Sequence, residues 1–238
     1  NVVLQGAWAV LVSRYSGERR VVFGVVKSGR RSCIPDADRL VGVLLNTLPM
    51  VVDVDPEAEV VAWLGALRQQ WEALRAHEHS SQVRIKEWSG FDARLPLFES
   101  LVCYEGVNST GALGALGGDE SCRHADALNQ PAVPVSLNAY GGRRVLLRVN
   151  HLEPRVDHDA AARLPGHLQT LLLALASGAR RVGDLPLLTP DERRRALALR
   201  GPATDIPRGA TVHGLIEAEC TPTAQAVAAR WGAGRLTF

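Results

Sequence analysis

The sequence predicts an α/β fold, and three features carry this prediction. Residues 21–26 form a continuous apolar run rich in β-branched side chains, typical of a strand covered on both faces. Residues 133–139 and 143–149 flank Gly141-Gly142, which indicates a β-hairpin. Apolar side chains at three- and four-residue spacing predict an amphipathic helix through Val60, Leu64, Leu67, Trp71 and Leu74.

The first half of the chain supplies further elements. Residues 2–15 are apolar nearly all round, which predicts a helix buried on several sides. Residues 40–45 and 50–54 predict strands on either side of the segment Asn46-Thr47-Leu48-Pro49. Because Asp is a good N-cap and Pro suits the first helical position, Asp55-Pro56 predicts the start of the amphipathic helix.

The second half continues the alternation of strands and helices. Residues 97–104 predict a strand, and the Gly-, Ser- and Ala-rich residues 108–130 predict a long loop or crossover. Leucines at helical spacing predict a second amphipathic helix over residues 159–176. Residues 189–192, Thr-Pro-Asp-Glu, read as a capping box that opens a short helix. Residues 211–238 predict a small unit of helix, loop and strand.

Composition and charge exclude several classes of protein. With 27 basic and 25 acidic side chains the net charge is +2, so the chain lacks the concentrated basic surface that nucleic acid requires. No apolar run approaches the roughly 20 residues that span a bilayer, and no secretory signal opens the chain. We therefore expect neither nucleic acid nor membrane as a partner.

The cysteines and histidines predict neither a disulfide framework nor a metal site. The four cysteines are far apart and no Cys/His set has metal-ligand spacing, so we expect no bound metal. Reduced thiols fit a cytoplasmic protein. The four positions are Cys33, Cys103, Cys122 and Cys220.

Several segments, taken in order, resemble a nonribosomal peptide synthetase. VVFGVVKSGR, VGVLLNTLP, EHSSQVRIKEWSG and LPLFESLVCYE are similar to the C-terminal lobe of a condensation domain. GDLPLLTPDERRRALAL resembles the linker that leaves such a domain. ATDIPRGATVHGLIEAE and AVAARWGAGRLTF are similar to the opening of an adenylation domain. The resemblance implies a condensation lobe over residues 1–178, a linker over 179–209 and a truncated adenylation start over 210–238.

The resemblance implies a fold and a reaction. The family fold is a pair of chloramphenicol-acetyltransferase-like α/β lobes, each with a mixed sheet, and a tunnel between them. Peptidyl carrier proteins dock at the tunnel mouths, each bringing a substrate on a 4'-phosphopantetheine arm, and an amide bond forms. Its implied partners are the carriers, the N-terminal lobe and the remainder of the adenylation domain. No cofactor is expected to bind this chain directly, and both ends of the chain look cut from something longer.

The family's HHxxxDG motif is absent from the sequence, which has no adjacent histidine pair. No catalytic residue is therefore assigned. The resemblance instead makes five residues candidates for lining the tunnel or the interface between lobes, while a plain turn and a strand end remain the alternatives from spacing alone. These candidates are Ser28, Gly29, Arg30, Asn46 and Thr47.

Three functions fit these observations. The first is half of a peptide-bond-forming condensation enzyme, inactive on its own. The second is a non-catalytic interaction module or diverged remnant that docks a carrier or a neighbouring domain. The third, a complete small acyltransferase, is disfavoured because the chain contains no HxxxD motif.

Overall fold

The chain divides into two units of unequal size, Asn1–Arg193 and Arg194–Phe238. A computed structural model describes residues 1–30, 36, 39–92, 94–105, 133–141, 145–201, 209–220 and 223–237. The predicted crossover over residues 108–130 lies outside the described residues. The predicted domain boundaries stay predictions.

A five-stranded mixed sheet organises the larger unit. Its strand order is β2-β1-β3-β4-β5. The pairs β1–β3 and β3–β4 are parallel, whereas β1–β2 and β4–β5 are antiparallel. The predicted hairpin near Gly141 is thus confirmed as β4 and β5. The strands are β1 (Arg20–Lys27), β2 (Asn46–Asp53), β3 (Ser100–Glu105), β4 (Val135–Tyr140) and β5 (Leu146–His151).

The strand β2 differs from the two strands predicted on either side of Asn46. Residues 40–45 are not a strand, and the side chains of Val41 and Val43 are fully or largely exposed. A single strand instead begins at Asn46 and passes through Pro49, which lies opposite Gly24 of β1. Proline is tolerated because β2 is an edge strand, where a missing N–H costs no ladder hydrogen bond.

Four helices pack with the sheet in the larger unit. The predicted N-terminal helix is confirmed as α1, and it is buried along most of its length, from Leu4 to Leu11. Gly17 ends it in the left-handed conformation with φ 77°. The core combines side chains of α1, α2 and α4 with those of β1, β2, β3 and β4. The helices are α1 (Val2–Ser16), α2 (Val60–Ala73), α3 (Gln82–Ser89) and α4 (His158–Ala176).

The predicted start of α2 at Asp55-Pro56 is wrong. Asp55 Oδ1 accepts from the Glu57 N–H at 3.3 Å in a turn, and the helix begins only at Val60. The reason lies in residues 180–183, whose backbone binds residues 56–60 through an isolated bridge between Glu59 and Arg181. This pairing holds Glu59 in an extended conformation, so the helix starts later and local cap signals lose to a long-range contact.

The predicted capping box at residues 189–192 is confirmed. It opens α5, Pro190–Ala198, which contains the division between the two units. The Thr189 N–H donates to Glu192 Oε2 at 2.8 Å, and the Glu192 N–H donates to Thr189 Oγ1 at 3.3 Å. Glu192 also lies 3.0 Å from Nε2 of His167 in α4, and the His167 ring in turn meets the hydroxyl of Tyr15 at 2.8 Å. A polar network centred on the buried His167 therefore joins α1, α4 and the start of α5.

The smaller unit contains a helix and a two-stranded hairpin. The helix α6 spans Val212–Cys220, and strands β6 (Val227–Trp231) and β7 (Gly234–Thr237) pair antiparallel. The sequence predicts the helix and one strand, and the structure adds the second strand. None of the described residues of this unit is buried.

Candidate functional site

The candidate site lies at the sheet end where the parallel strands finish. β1 ends at Lys27, β3 at Glu105 and β4 at Tyr140, while β2 begins there because Asn46 pairs with Lys27. In open sheets with parallel strands, ligands bind outside the carboxyl ends of those strands. The five sequence candidates fall at this end, on the side of β1 and β2.

The turn after β1 places three of the candidates. Ser28 is exposed, while Gly29 is buried with φ 64°. A Cβ on Gly29 would lie 2.3 Å from the carbonyl oxygen of Leu44, so only glycine fits this close approach. The Arg30 guanidinium donates to the carbonyl oxygens of Leu40 at 2.8 Å and Gly42 at 3.0 Å. Arg30 therefore shapes the loop that leads into β2.

Asn46 joins β2 to the segment that follows α2. Its Nδ2 donates to the carbonyl oxygens of Glu78 at 2.8 Å and Ser80 at 2.9 Å. Its Oδ1 accepts from the Thr47 N–H at 2.9 Å. The Thr47 carbonyl accepts from Gln82 of α3 at 3.3 Å. These bonds use the polar atoms of Asn46 within the protein, so its role here is structural. We call the turn after β1 and the start of β2, residues 28–30 and 46–47, the rim of the site, and Asn46 holds it in position.

Lys27 is a buried member of the site that the sequence reasoning missed. Its side chain donates to the Trp71 carbonyl at 2.9 Å, and Nζ lies 3.5 Å from the centroid of the Trp71 ring. Burial lowers the pKa of Lys27, an effect that Glu78 opposes and Arg75 reinforces. The sequence does contain a signal for this residue: Lys27 is one of only two lysines in the chain, and it stands at the end of a buried strand.

Glu78 was also missed, although the EHSS segment contains it. The residue is buried, and its Oε1 has no hydrogen-bond partner among the residues that the structure describes. Buried polar atoms are normally paired, because leaving one unpaired costs about 1–3 kcal/mol. The Glu78 carboxyl group therefore marks an unsatisfied acceptor at the same sheet end as Lys27.

The residues at this sheet end are suited to positioning a ligand and do not include an activated nucleophile among those described. Cys103 of β3 is half-buried, and burial followed by the nearby Glu105 raises the pKa of its thiol to about 11. Such a thiol stays protonated and makes a poor nucleophile. The described residues here offer hydrogen bonds and shape.

A separate apolar cavity of about 820 Å³ opens at the other end of the sheet. It lies where β3 and β4 begin, and none of the five sequence candidates lines it. Its walls combine α1, α4 and the segment before β3, with Trp8, Phe98, Val135 and Leu164 among the lining residues. The sequence reasoning did not predict this cavity, because its lining comes from segments distant in the chain.

Comparison with solved structures shows the fold class of the larger unit. The starter condensation domain of rhizomide synthetase superposes with a TM-score of 0.61 at 16% identity, over 79% of this chain and 45% of that chain. The larger unit therefore has the fold of part of a condensation domain, a chloramphenicol-acetyltransferase-like α/β arrangement with a mixed sheet. Within the described part of the chain, every helix is too short or too polar to cross a bilayer.

Sequence comparisons add a family model and two relatives. Residues 1–112 match the family model described as "Condensation domain". A linear gramicidin synthase from Brevibacillus parabrevis is 34% identical over 242 residues, which cover 100% of this chain and 5% of that protein. Chondramide synthase from Chondromyces crocatus is 31% identical over 199 residues, covering 83% of this chain and 5% of that protein. The chain thus spans about one-twentieth of the length of these relatives.

Proposed function

We propose that this chain supplies the C-terminal lobe of a condensation domain that joins two carrier-bound substrates through an amide bond. One observation carries the proposal: the chain superposes on less than half of a condensation domain, at 45% of its length. The match to the condensation family over residues 1–112 supports the same assignment. One lobe of a two-lobe domain would have this extent.

The proposed reaction divides the work between two lobes. The acceptor amine attacks the donor thioester carbonyl, a C–N bond forms, the C–S bond breaks, and the amine loses a proton. In the family the HHxxxDG motif of the N-terminal lobe handles that proton, and this sequence lacks the motif. The contribution of this chain is then to orient the two thioesters. Correct orientation of the reactants removes a large part of the activation barrier of such a reaction.

The five sequence candidates are assigned to the wall of the tunnel. Gly29 and Arg30 fix the turn after β1, and Asn46 fixes the start of β2. Exposed apolar side chains lie beside them, with Val41, Val43 and Leu45 between 62% and 104% exposed. An apolar strip next to a shaped rim suits the interface with an N-terminal lobe. Ser28 and Thr47 lie within this rim and complete the proposed lining.

The proposed partners follow from this placement. Peptidyl carrier proteins would bring substrates on 4'-phosphopantetheine, which belongs to the carriers and not to this chain. The exposed apolar residues of α6 and its hairpin suit a surface that the remainder of an adenylation domain covers. Cys103 and Cys220 are free thiols, which supports the cytoplasmic location that we propose.

A non-catalytic docking module is the second candidate. The missing HHxxxDG motif favours it, because the chain then needs no chemistry of its own. Under this alternative the lobe only binds a carrier protein or braces a neighbouring domain.

A reconstituted condensation assay separates the two candidates. The chain is mixed with an N-terminal lobe that carries HHxxxDG and with two loaded carriers, and amide product is followed by mass spectrometry. We expect product only when both lobes are present, since losing the general base typically costs about 100- to 10,000-fold. Binding of the N-terminal lobe without any product would favour the docking module.

The Gly29→Ala variant makes the assay specific for the proposed rim. Its new Cβ would meet the Leu44 backbone at 2.3 Å, so we expect slower product formation. Gly90→Ala is the matched control, because Gly90 also has φ 64° but has open space around the added Cβ. Equal rates of product formation for the two variants would contradict the proposal that the rim shapes the tunnel.

A further inference from the structure

Three potential metal ligands meet at the junction of β5 and α4. His151 ends β5, Glu153 lies in the following turn, and His158 is the first residue of α4. One ligand atom of each lies within 4.8 Å of the other two. The sequence prediction of no metal rested on spacing, whereas here a tight turn brings together residues whose spacing follows no common motif.

His151 supplies the second observation. Its Nε2 is buried and has no hydrogen-bond partner among the described residues. Its ring lies 5.7 Å from the His158 ring, tilted by 54°. An imidazole nitrogen that is withdrawn from water without a partner is normally satisfied by a donor, an acceptor or a metal ion.

We propose that His151, Glu153 and His158 bind a divalent transition-metal ion of the zinc class. Two imidazoles and one carboxylate form a borderline donor set that suits Zn²⁺, with water in the fourth position. With Zn–N distances of about 2.0–2.1 Å, tetrahedral ligand atoms lie roughly 3.3 Å apart. The observed separations, up to 4.8 Å, close to this value by side-chain rotation of the exposed Glu153 and His158.

Local charges accommodate a cation at this position. The N-terminus of α4 carries a partial positive charge that opposes a metal ion. Asp157 offsets it, because its Oδ1 accepts from the Ala160 N–H at 2.9 Å and caps the helix. Asp159 adds a second negative charge in the first turn. The Glu153 carboxylate is then available to the ion.

The proposed metal site lies away from the candidate functional site. His151 pairs with Val135 at the start of β4, whereas Lys27 and Asn46 lie at the opposite end of the sheet. β5 and β2 also form opposite edges of the sheet. The role of the ion is therefore structural: it fixes the turn from β5 into α4, independently of the proposed condensation function.

Calorimetric titration with Zn²⁺ tests the site directly. The 238-residue chain, prepared without a polyhistidine tag and stripped with EDTA, is titrated with ZnCl₂, and Co²⁺ absorption reports the coordination geometry. We expect one equivalent of Zn²⁺, tetrahedral Co²⁺ bands, and a melting midpoint raised by about 5 °C at saturating Zn²⁺, reversed by EDTA. The absence of binding at about 10 μM protein would overturn the proposal.

Variants locate the ion. His151→Ala or His158→Ala should weaken Zn²⁺ binding by about 100-fold or more. Glu153→Gln keeps the shape of an exposed side chain and should also weaken binding, which covers the case in which His151→Ala fails to fold. His213→Ala removes an exposed imidazole from α6 and should bind as the parent chain does. Unchanged Zn²⁺ affinity in all three site variants would overturn the proposed metal site, because His151 and His158 would then be only two neighbouring imidazoles.

Discussion

The two units of the chain contain similar amphipathic helices with opposite burial. In the larger unit Leu164, Leu168 and Leu171 of α4 are 5% exposed or less. In the smaller unit Val212 and Ile216 of α6 are 78% and 55% exposed. Local sequence makes a helix in both cases, but in the larger unit the apolar face packs against a five-stranded sheet and other helices, and in the smaller unit it stays exposed.

The stability of the chain therefore comes mainly from the larger unit. Burying an apolar side chain of this size contributes about 1.5–3 kcal/mol, and the larger unit does so many times over. A lone helix and a two-stranded hairpin are marginal at best in water. The smaller unit therefore depends on whatever surface covers it.

Hydrogen exchange should show the largest contrast. Amides of β1 and β4 should exchange at least about 1,000-fold more slowly than those of α6, β6 and β7, because core strands open only with global unfolding. Mass spectrometry of peptic peptides measures both sets in one experiment. We expect protease to cut first near Arg200 or Arg208 and to release the last part of the chain. Slow exchange in residues 209–238 would mean that this segment packs on the larger unit.

Matched leucine truncations should come next in size. Leu137 in β4 is fully buried, whereas Leu236 in β7 is 58% exposed. Leu137→Ala should lower the free energy of unfolding by about 2–5 kcal/mol, since it leaves a cavity. Leu236→Ala should change it by about 0.5 kcal/mol or less. Urea melts of the two variants compare them, and equal costs would contradict the contrast between the units.

Substitutions at two glycines sharpen the comparison within the larger unit. Gly90→Ala should cost about 1 kcal/mol through its left-handed backbone alone. Gly29→Ala has the same φ and also forces the Leu44 carbonyl away, so we expect a further 1–3 kcal/mol, roughly. The same urea melts report both. A Gly29→Ala variant as stable as Gly90→Ala would show that the loop before β2 yields freely.

The capping box gives the smallest effect and a pH signature. Hydrogen bonds from the Thr189 hydroxyl and backbone N–H, with a smaller effect of His167, lower the pKa of Glu192 from 4.5 to about 2. A carboxyl group with a lowered folded pKa stabilises the protein above its unfolded pKa, and this stability is lost as the pH falls from about 4.5 towards 2.

Glu192→Gln should therefore cost about 1 kcal/mol at pH 7 and flatten this part of the pH profile of the melting midpoint. Glu87→Gln, in the exposed pair with Arg84 on α3, is the control and should have little effect. A parent-like acid profile for Glu192→Gln would remove the capping box as its source.

The sequence alone predicts the elements whose signal is local. A continuous apolar run places α1, and leucines at helical spacing place α4. The Gly141 region places the β4–β5 hairpin, and Thr189 with Glu192 places the cap of α5. The prediction fails where distant segments compete with local signals. Residues 180–183 hold Asp55-Pro56 out of the helix, and the edge position of β2 admits Pro49 into a strand.

The candidate site shows the same division. The family resemblance points to Gly29, Arg30 and Asn46, and the structure places them together at one sheet end. Spacing gives no sign that Lys27 would pack on Trp71, because that contact joins β1 to the end of α2.

Thermal melting with an added N-terminal lobe tests most directly whether this chain is one half of a condensation domain. The chain is melted alone and with increasing concentrations of a condensation-domain N-terminal lobe, while light scattering reports its oligomeric state. We expect self-association of the chain alone, and a melting midpoint that rises with the concentration of the lobe, because a partner that binds only the folded form stabilises it by mass action. A monodisperse monomer whose midpoint ignores the added lobe would contradict the proposal.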